Sequence, residues 1–309
     1  MAKHIPVMLN EVMHYLAPSP GETYIDCTFG AGGYSKAILN ATDCNLYAID
    51  RDPDVAEDAK DLNKLHSNFK FIQGSFGNLK EIARINKIEK IDAIILDLGV
   101  SSMQLDQGDR GFSFMQDADL DMRMSKSGKK ASDLINEASE EEIANIIYKY
   151  GEEHFSRRIA RKIILKREEK PITRTAELAS IVRSAVKKSG KIDSATKTFQ
   201  ALRIWVNDEL DELEQVLAAS RDLLTVGGRL IVVSFHSLED SIVKTFLNEQ
   251  ICKNKGTSRY LPSLEEEANP VFKLIAKKAV KPTEEEIKQN IRSRSSRMPA
   301  AMKIRVAND

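Results

Sequence analysis

The sequence predicts an α/β protein, an open and mostly parallel sheet with helices on both faces, interrupted by an inserted all-helical domain. Three observations predict it. Short, nearly continuous apolar runs alternate with helical periodicities between residues 23 and 97. Such runs suit parallel strands buried on both faces. Three of them end in an aspartate, at Asp26, Asp50 and Asp97. The next strand-like run, Arg229 to Val233, begins more than a hundred residues after Asp97, whereas a parallel crossover needs only about a dozen.

The elements follow in order. Leu9, Val12, Met13 and Leu16 recur at helical spacing, and Pro18-Ser19-Pro20-Gly21 ends that helix with a turn. Thr23 to Cys27 reads as a strand, followed by the loop Phe29-Gly30-Ala31-Gly32-Gly33 and a helix from about Ser35. Strands are expected at 45–50, 69–72 and 91–97, and a last one at 229–233 after Gly227-Gly228. Between them lies the insert. Ser139 with Glu142 forms a capping box ahead of Ile143, Ile146, Ile147 and Tyr150. Phe155, Ile159 and Ile163 share one helix face, and Leu178, Ile181, Val182 and Ala185 another. Phe199, Leu202, Val206, Leu210, Leu213 and Leu217 keep helical spacing, which predicts one long helix running back into the main domain. The expected domains are 1–104 with 207–309, and an inserted helical substrate-recognition domain at 105–206.

Composition narrows the function classes. The 309 residues are 42% hydrophobic, with 46 Lys+Arg balancing 46 Asp+Glu. A zero sum excludes a simple polycation and leaves local patches open. Cys27, Cys44 and Cys252 are widely spaced and form no C-x-x-C pair, which argues against a disulfide scaffold or a zinc site. The five histidines make no cluster either, and no metal is expected. Pro6, Asn10 and Glu11 interrupt the start before a signal-like apolar run develops, and no stretch approaches the roughly 20 apolar residues of a membrane span. A cytoplasmic protein is the expectation.

Four strand-end motifs carry chemistry. Asp26-Cys27-Thr28-Phe29-Gly30-Ala31-Gly32-Gly33 places glycines where a chain turns sharply and a cofactor touches backbone. A dinucleotide G-x-G-x-x-G starting at Gly30 needs glycine at 35, which is Ser35, and this disfavours NAD. Asp50 stands where a carboxylate would accept from ribose hydroxyls; a solvent-facing acid or a cap before Pro53 reads the same residue structurally. Asp97, after an apolar run, projects at the sheet's carboxyl edge, as a site residue or as an acid satisfied by loop amides. Ser237, Glu239 and Asp240 are explained as a helix start, and His236 beside them is either a rim catalyst or loop packing.

Charge is segregated as well. From Ser156 to Arg203 there are fourteen Lys or Arg against four acids, and 291–307 holds Arg292, Arg294, Arg297, Lys303 and Arg305 with no acid. Clustered cations neutralise phosphates, although solvated helix faces produce the same composition. Phe112 and Phe114 are candidates for stacking on an exposed base, with core packing an equal alternative.

These residues resemble a known family, the bacterial 16S ribosomal RNA cytosine-N4 methyltransferases. The matching segments run almost end to end: His4-Ile5-Pro6-Val7, IDCTFGAGGYS (25–35), AIDRDP (48–53), DLGVSSMQLD (97–106), RGFSFM (110–115), LDMRM (120–124), YGEE (150–153), TFQALRIWVNDEL (198–210) and GGRLIVVSFHSLED (227–240). The resemblance implies a Rossmann-like class I methyltransferase sheet with S-adenosylmethionine as cofactor. It implies methylation of one cytosine in the decoding region of 16S ribosomal RNA within the small ribosomal subunit, with no membrane partner and with a homodimer as one admissible assembly. By the same resemblance, the cofactor residues are Gly32, Gly33, Tyr34, Asp50, Phe76, Asp97 and Gln104, and Asp97 is the catalytic candidate. Tyr34 departs from a common histidine, Met103 from a common proline, and Asn290-Ile291-Arg292 from the usual Asn-Pro-Arg. Two other functions compete: an NAD-dependent oxidoreductase on a similar sheet, and a non-catalytic ribosome-binding factor using the basic insert.

Overall fold

The computed structural model describes residues 6–186, 193–251 and 270–306. His4, Ile5, Cys252, Ala307 and the cations Lys187, Lys188 and Lys191 lie outside the described residues. The chain divides into two compact units, residues 1–99 with 210–309, and residues 100–209. The insert expected at 105–206 falls within the second.

The first unit opens with α1 (Leu9–Leu16), whose Val12 and Leu16 are buried. Then come β1 (Thr23–Asp26), α2 (Gly33–Ala41), β2 (Asn45–Asp50), α3 (Ala56–Leu65), β3 (Phe69–Gln73), α4 (Leu79–Ile85) and β4 (Ile91–Asp97). Six of the seven β4 residues are buried, as the unbroken apolar run requires of a strand covered on both faces.

The second unit holds α5 (Ser102–Asp106), α6 (Ala131–Glu137), α7 (Glu140–Gly151), α8 (Ser156–Glu169), α9 (Thr175–Ala185) and α10 (Ala195–Asn207). Ile143, Ile147, Ile159, Ile163, Leu178, Val182 and Leu202 form its fully buried centre. Ser139 Oγ accepts from the Glu142 amide at 3.1 Å and so starts α7. Phe155 departs from its expected place. Ile159 and Ile163 are fully buried, but Phe155 is 54% exposed. It occupies the N-cap of α8 with non-helical backbone (φ −90, ψ 17), so the i, i+4 spacing that aligned it with Ile159 does not apply.

Phe112 and Phe114 are engaged inside this unit. Phe112 is buried under the Arg110 guanidinium, and Phe114 packs edge-on against Phe199 with ring centroids 4.9 Å apart. Base stacking by these two rings is therefore set aside. The long helix expected across 199–217 is two helices. Asp208 takes left-handed backbone (φ 51) after α10, and α11 (Glu209–Leu223) starts afresh. Asn207, buried beside the break, donates to the carbonyls of Met122 (2.8 Å) and Arg203 (2.9 Å) and accepts from the Met124 amide (2.8 Å).

The first unit resumes with β5 (Leu224–Val233), α12 (Ser237–Gln250), β6 (Phe272–Leu274), α13 (Glu284–Gln289) and β7 (Ala300–Lys303). The sheet order is β3-β2-β1-β4-β5-β7-β6. Strands β1 to β5 are parallel, and β7 runs antiparallel to both β5 and β6. Strand β5 begins five residues earlier than the sequence indicates, with a register shift opposite Ile91 and Ala93. Strands β6 and β7 were not anticipated. Lys303, one of the supposed tail cations, is buried and donates to the carbonyls of Arg221 (2.5 Å) and Leu224 (2.7 Å). It fastens β7 to the end of α11 and the start of β5, and burial lowers its pKa.

Candidate active site

The strand order reverses between β1 and β4. From that pair, β2 and β3 continue one way and β5 the other, so the carboxyl ends of β1 and β4 flank a crevice of the kind that holds ligands in open α/β sheets. The register places three acids around it. Asp26 lies level with Ala48 on one side and Ile95 on the other. Asp50 and Asp97 therefore stand two residues further along their strands, about 7 Å past Asp26 on each flank and on the same face of the pleat.

The glycine turn fills the space where β1 stops short. Gly30 (φ 51) and Gly32 (φ 73) use left-handed backbone, which a Cβ disfavours. At Gly32 a Cβ would also meet the Phe29 ring at 2.8 Å, and at Gly33 one would meet Pro6 at 2.1 Å. The Phe29 ring is itself fixed against Phe69 and Phe71. Gly32 is the N-cap of α2 and supplies no side-chain cap; of the first amides of this helix, that of Ser35 is taken by Asp26.

Asp26 is fully buried. Its Oδ2 accepts from Ser35 Oγ at 2.7 Å and its Oδ1 from the Thr28 amide at 3.2 Å. Ser35, which breaks the dinucleotide pattern, is thus the hydroxyl that satisfies this carboxylate. Thr28 Oγ1 in turn accepts from the Asp97 amide at 2.7 Å and ties the two strand ends together. Asp50 does not cap the turn at Pro53, a task that falls to Asp52, and is half-buried. Its Oδ2 accepts from the Gly30 amide at 2.8 Å and its Oδ1 from the Asp52 amide at 2.9 Å.

Burial pushes the Asp50 carboxyl up to about 6, against the lowering effect of those two amides. Asp97 is raised well above the ordinary carboxylate value, by burial first and then by the negative charges of Asp26 and Glu239. Asp97 Oδ1 is buried and accepts no hydrogen bond. An acceptor left open in a dry site costs roughly 1–3 kcal/mol, and a donor or positive group brought there removes that cost. Among the described residues, no group of three or more His, Cys, Asp or Glu is arranged to hold a metal ion.

The remaining site residues divide between the two units. Tyr34, in the first turn of α2, is buried; its hydroxyl donates to the Val7 carbonyl and so pins the segment before α1 over the turn. Phe76, in a short 3-10 turn after β3, is half-buried against the sheet's core. Gln104 belongs to the second unit. Its Oε1 accepts from the Ser101 amide at 3.0 Å and its amide donates to Ser101 Oγ at 3.2 Å, a reciprocal cap that starts α5. The structure thus brings Gly32, Gly33, Tyr34, Asp50 and Asp97 to one rim, with Phe76 on the adjoining strand end.

His236 sits at the N-cap of α12. Its Nδ1 receives the Glu239 amide at 3.4 Å, and Glu239 Oε2 accepts from the Phe235 amide at 2.7 Å. Its Nε2 lies 3.0 Å from Glu239 Oε1, off the line a hydrogen bond needs. These contacts are those of a cap. Two of the tail arginines, Arg294 and Arg297, line a cleft next to this cap together with Lys244 and Lys281.

Asp26, Ser35 and Thr28 are the site residues that sequence reasoning left unassigned. Asp26 stood inside the glycine motif, and its burial at the end of an apolar strand was the available signal.

Relatives share this sequence along its whole length. The chain is 52% identical over 308 residues to the ribosomal RNA small subunit methyltransferase H of Orientia tsutsugamushi (strain Boryong), covering 97% of this chain and 98% of that protein. It is equally 52% identical over 305 residues to the protein of the same name from Rickettsia bellii (strain RML369-C), covering 97% and 99%. A crevice of three carboxylates around a glycine turn, carried on a sequence that matches one family model over residues 1–304, makes this chain a member of the MraW methylase family.

Proposed function

We propose that this protein transfers a methyl group from S-adenosylmethionine to the N4 amine of one cytosine in the decoding region of the small-subunit ribosomal RNA. Membership of a methylase family and the names of its relatives support the reaction and the substrate class. They support neither the oxidoreductase nor the non-catalytic binding factor. No helix among the described residues is long and apolar enough to cross a membrane. We place the enzyme's work in the cytoplasm, with a homodimer as an admissible assembly.

The observation that carries the reading is Asp97, a half-buried residue whose buried Oδ1 lacks a donor at the mouth of the crevice. S-adenosylmethionine supplies an already activated methyl on a cationic sulfur, and a rim of acids with too few counter-charges suits that cation. Asp50 would accept from the ribose hydroxyls, Phe76 would lie near the adenine, and the amides of Gly33 and Tyr34 at the start of α2 would receive the carboxylate, with Gly32 turning the chain toward it. Gln104 is assigned to the target entry.

The exocyclic amine of cytosine is a weak nucleophile because its lone pair is delocalised into the ring. Asp97, or a backbone carbonyl just after it, would accept a hydrogen bond from that amine and turn the lone pair outward; alignment supplies most of the remaining rate enhancement. The base must be unstacked to reach such a site. The inserted unit, residues 100–209, is assigned to substrate recognition. Radiolabelled methyl transfer to small subunits lacking the modification, followed by mapping of the labelled position, tests the proposal. Incorporation at one cytosine supports it, and no incorporation by a protein that binds S-adenosylmethionine overturns it.

A further inference from the structure

Helix α8 is built against electrostatic expectation. Its first turn carries no acid, although the positive end of a helix favours one. Arg157, Arg158, Arg161 and Lys162 instead occupy its first two turns, all exposed and without an acidic partner among the described residues. The later cations of the same helix are used by the fold. Lys166 pairs with Glu169, and Arg167 donates to the carbonyls of Ile135 and Ala138.

Exposed rings lie at and just before the turn that leads into α8. Phe155, immediately before α8, is 54% exposed, and Tyr148, on the last turns of α7, is 59% exposed. The Tyr148 ring lies 6.4 Å from that of His154 in an edge contact. The turn that presents them is firmly built. Glu152 takes left-handed backbone, the buried Glu153 accepts from the Phe155 amide at 2.9 Å, and Lys197 donates to the Glu152 carbonyl at 2.8 Å. A Cβ on Gly151 would meet the Lys197 carbonyl at 2.5 Å, so the turn is pressed directly onto α10. Partly exposed rings leading into a helix start whose guanidinium groups have no acidic partner among the described residues fit unpaired bases joined by phosphates. A duplex would offer no base face to these rings.

We propose that the α7–α8 turn and the first two turns of α8 form a platform for single-stranded RNA. Arg157, Arg158, Arg161 and Lys162 contact backbone phosphates, and Phe155 and Tyr148 stack on bases. This deepens the reading of the enzyme as an RNA methyltransferase and rests on it.

The test uses the full chain and a labelled, unstructured single-stranded RNA oligonucleotide, with affinity measured across a salt series. Combined Arg157→Ala, Arg158→Ala and Arg161→Ala should flatten the slope of log affinity against log salt by about 0.7 for each phosphate that is no longer neutralised. Phe155→Ala should weaken binding on the order of tenfold, and Phe155→Trp should retain it. A triple variant that melts like the wild type yet keeps its RNA affinity and slope overturns the platform, as does an unchanged affinity in Phe155→Ala. If these variants bind RNA normally but fail only on intact subunits, the face contacts protein and the proposal is wrong. Should the wild type methylate small-subunit RNA while the variants behave like it, this assignment alone falls. A wild type that neither binds nor methylates RNA removes the proposed function as well.

Discussion

The strand-end crevice of the first unit and the leading face of α8 in the second are opposite in sign, and each opposes what folding alone would favour. In the crevice, burial raises the carboxyls of Asp26, Asp50 and Asp97, and Asp97 Oδ1 accepts no hydrogen bond. On α8, four cations crowd the positive end of a helix. Neighbouring α7 obeys the ordinary rule, with Glu140, Glu141 and Glu142 in its first turn and Lys149 in its last. Like charges at i, i+4, such as Arg157 with Arg161, cost a helix about 0.2–0.5 kcal/mol each. The chain's 46 cations and 46 acids cancel in number and conceal two fields. One is suited to a cationic cofactor, the other to a polyanion.

The comparison breaks most sharply at Asp97. Asp97→Ala should lower kcat by on the order of 10²–10³-fold, the scale of losing one preorganised polar contact at a reacting group. Single-turnover methyl transfer at saturating cofactor measures this. A variant that keeps turnover and loses only cofactor affinity would falsify the amine-acceptor role.

Second in size is a stability effect confined to the helical unit. Asn207→Ala deletes three hydrogen bonds, two of them buried and one partly so, and should cost about 3 kcal/mol. Trp205 is the only tryptophan and lies in this unit, so its fluorescence during urea unfolding reports the loss directly. Cofactor affinity should be spared, because the crevice belongs to the first unit; a parallel loss of cofactor binding would show that the two fields are not separable.

Asp50→Asn should weaken S-adenosylmethionine binding by roughly tenfold, the value of a charge-assisted hydrogen bond. In the wild type, affinity should decline as pH falls through about 6, where Asp50 becomes protonated, and Asp50→Asn should lose that dependence. Stability of the cofactor-free protein runs the other way. The folded pKa is above the unfolded value near 3.8, so the contribution of the neutral carboxyl is fully present below 3.8 and disappears as pH rises through 6. Calorimetric binding and thermal melts across pH 4–7 would expose either trend with the wrong sign.

The smallest effect is expected at Tyr34. Tyr34→Phe removes the bond to the Val7 carbonyl, for a loss of about 1 kcal/mol in thermal stability. A larger fall in kcat than in stability would assign the hydroxyl to Asp97 rather than to the N-terminal segment.

The parallel half of the sheet was legible because its strands are largely apolar, and the crevice because three of them, β1, β2 and β4, end in an acid. What escaped had weaker local signatures. The strands Phe272–Leu274 and Ala300–Lys303 are three and four residues long and carry lysines, so neither period nor polarity marks them. The break at Asp208 was hidden because apolar spacing continues across it, and only the backbone leaves the helix. Phe155 shows the reverse error, correct spacing with Ile159 but placed outside the helix that gives spacing its meaning. Phe112 and Phe114 are aromatics near a basic region, yet composition cannot tell a ring packed edge-on against Phe199 from a ring in water. Asp26 illustrates a further limit. Its partner Ser35 looked like a missing glycine, because a motif records which residue is absent and not what the substitute does.

The way the chain is interrupted also sets a schedule for its manufacture. Strand β4 ends at Asp97, but β5, its partner on the side away from β1, begins at Leu224, and the far edge of β5 is paired with Ala300–Lys303. Residues 100–209 are contiguous, so on the ribosome the helical unit emerges whole and can condense while the sheet still lacks its fifth strand. Until the lysine at 303 reaches the carbonyls of Arg221 and Leu224, β5 presents an open edge to any neighbouring nascent chain. The face assigned to RNA can therefore be complete while the sheet that carries the crevice still lacks β5 and β7.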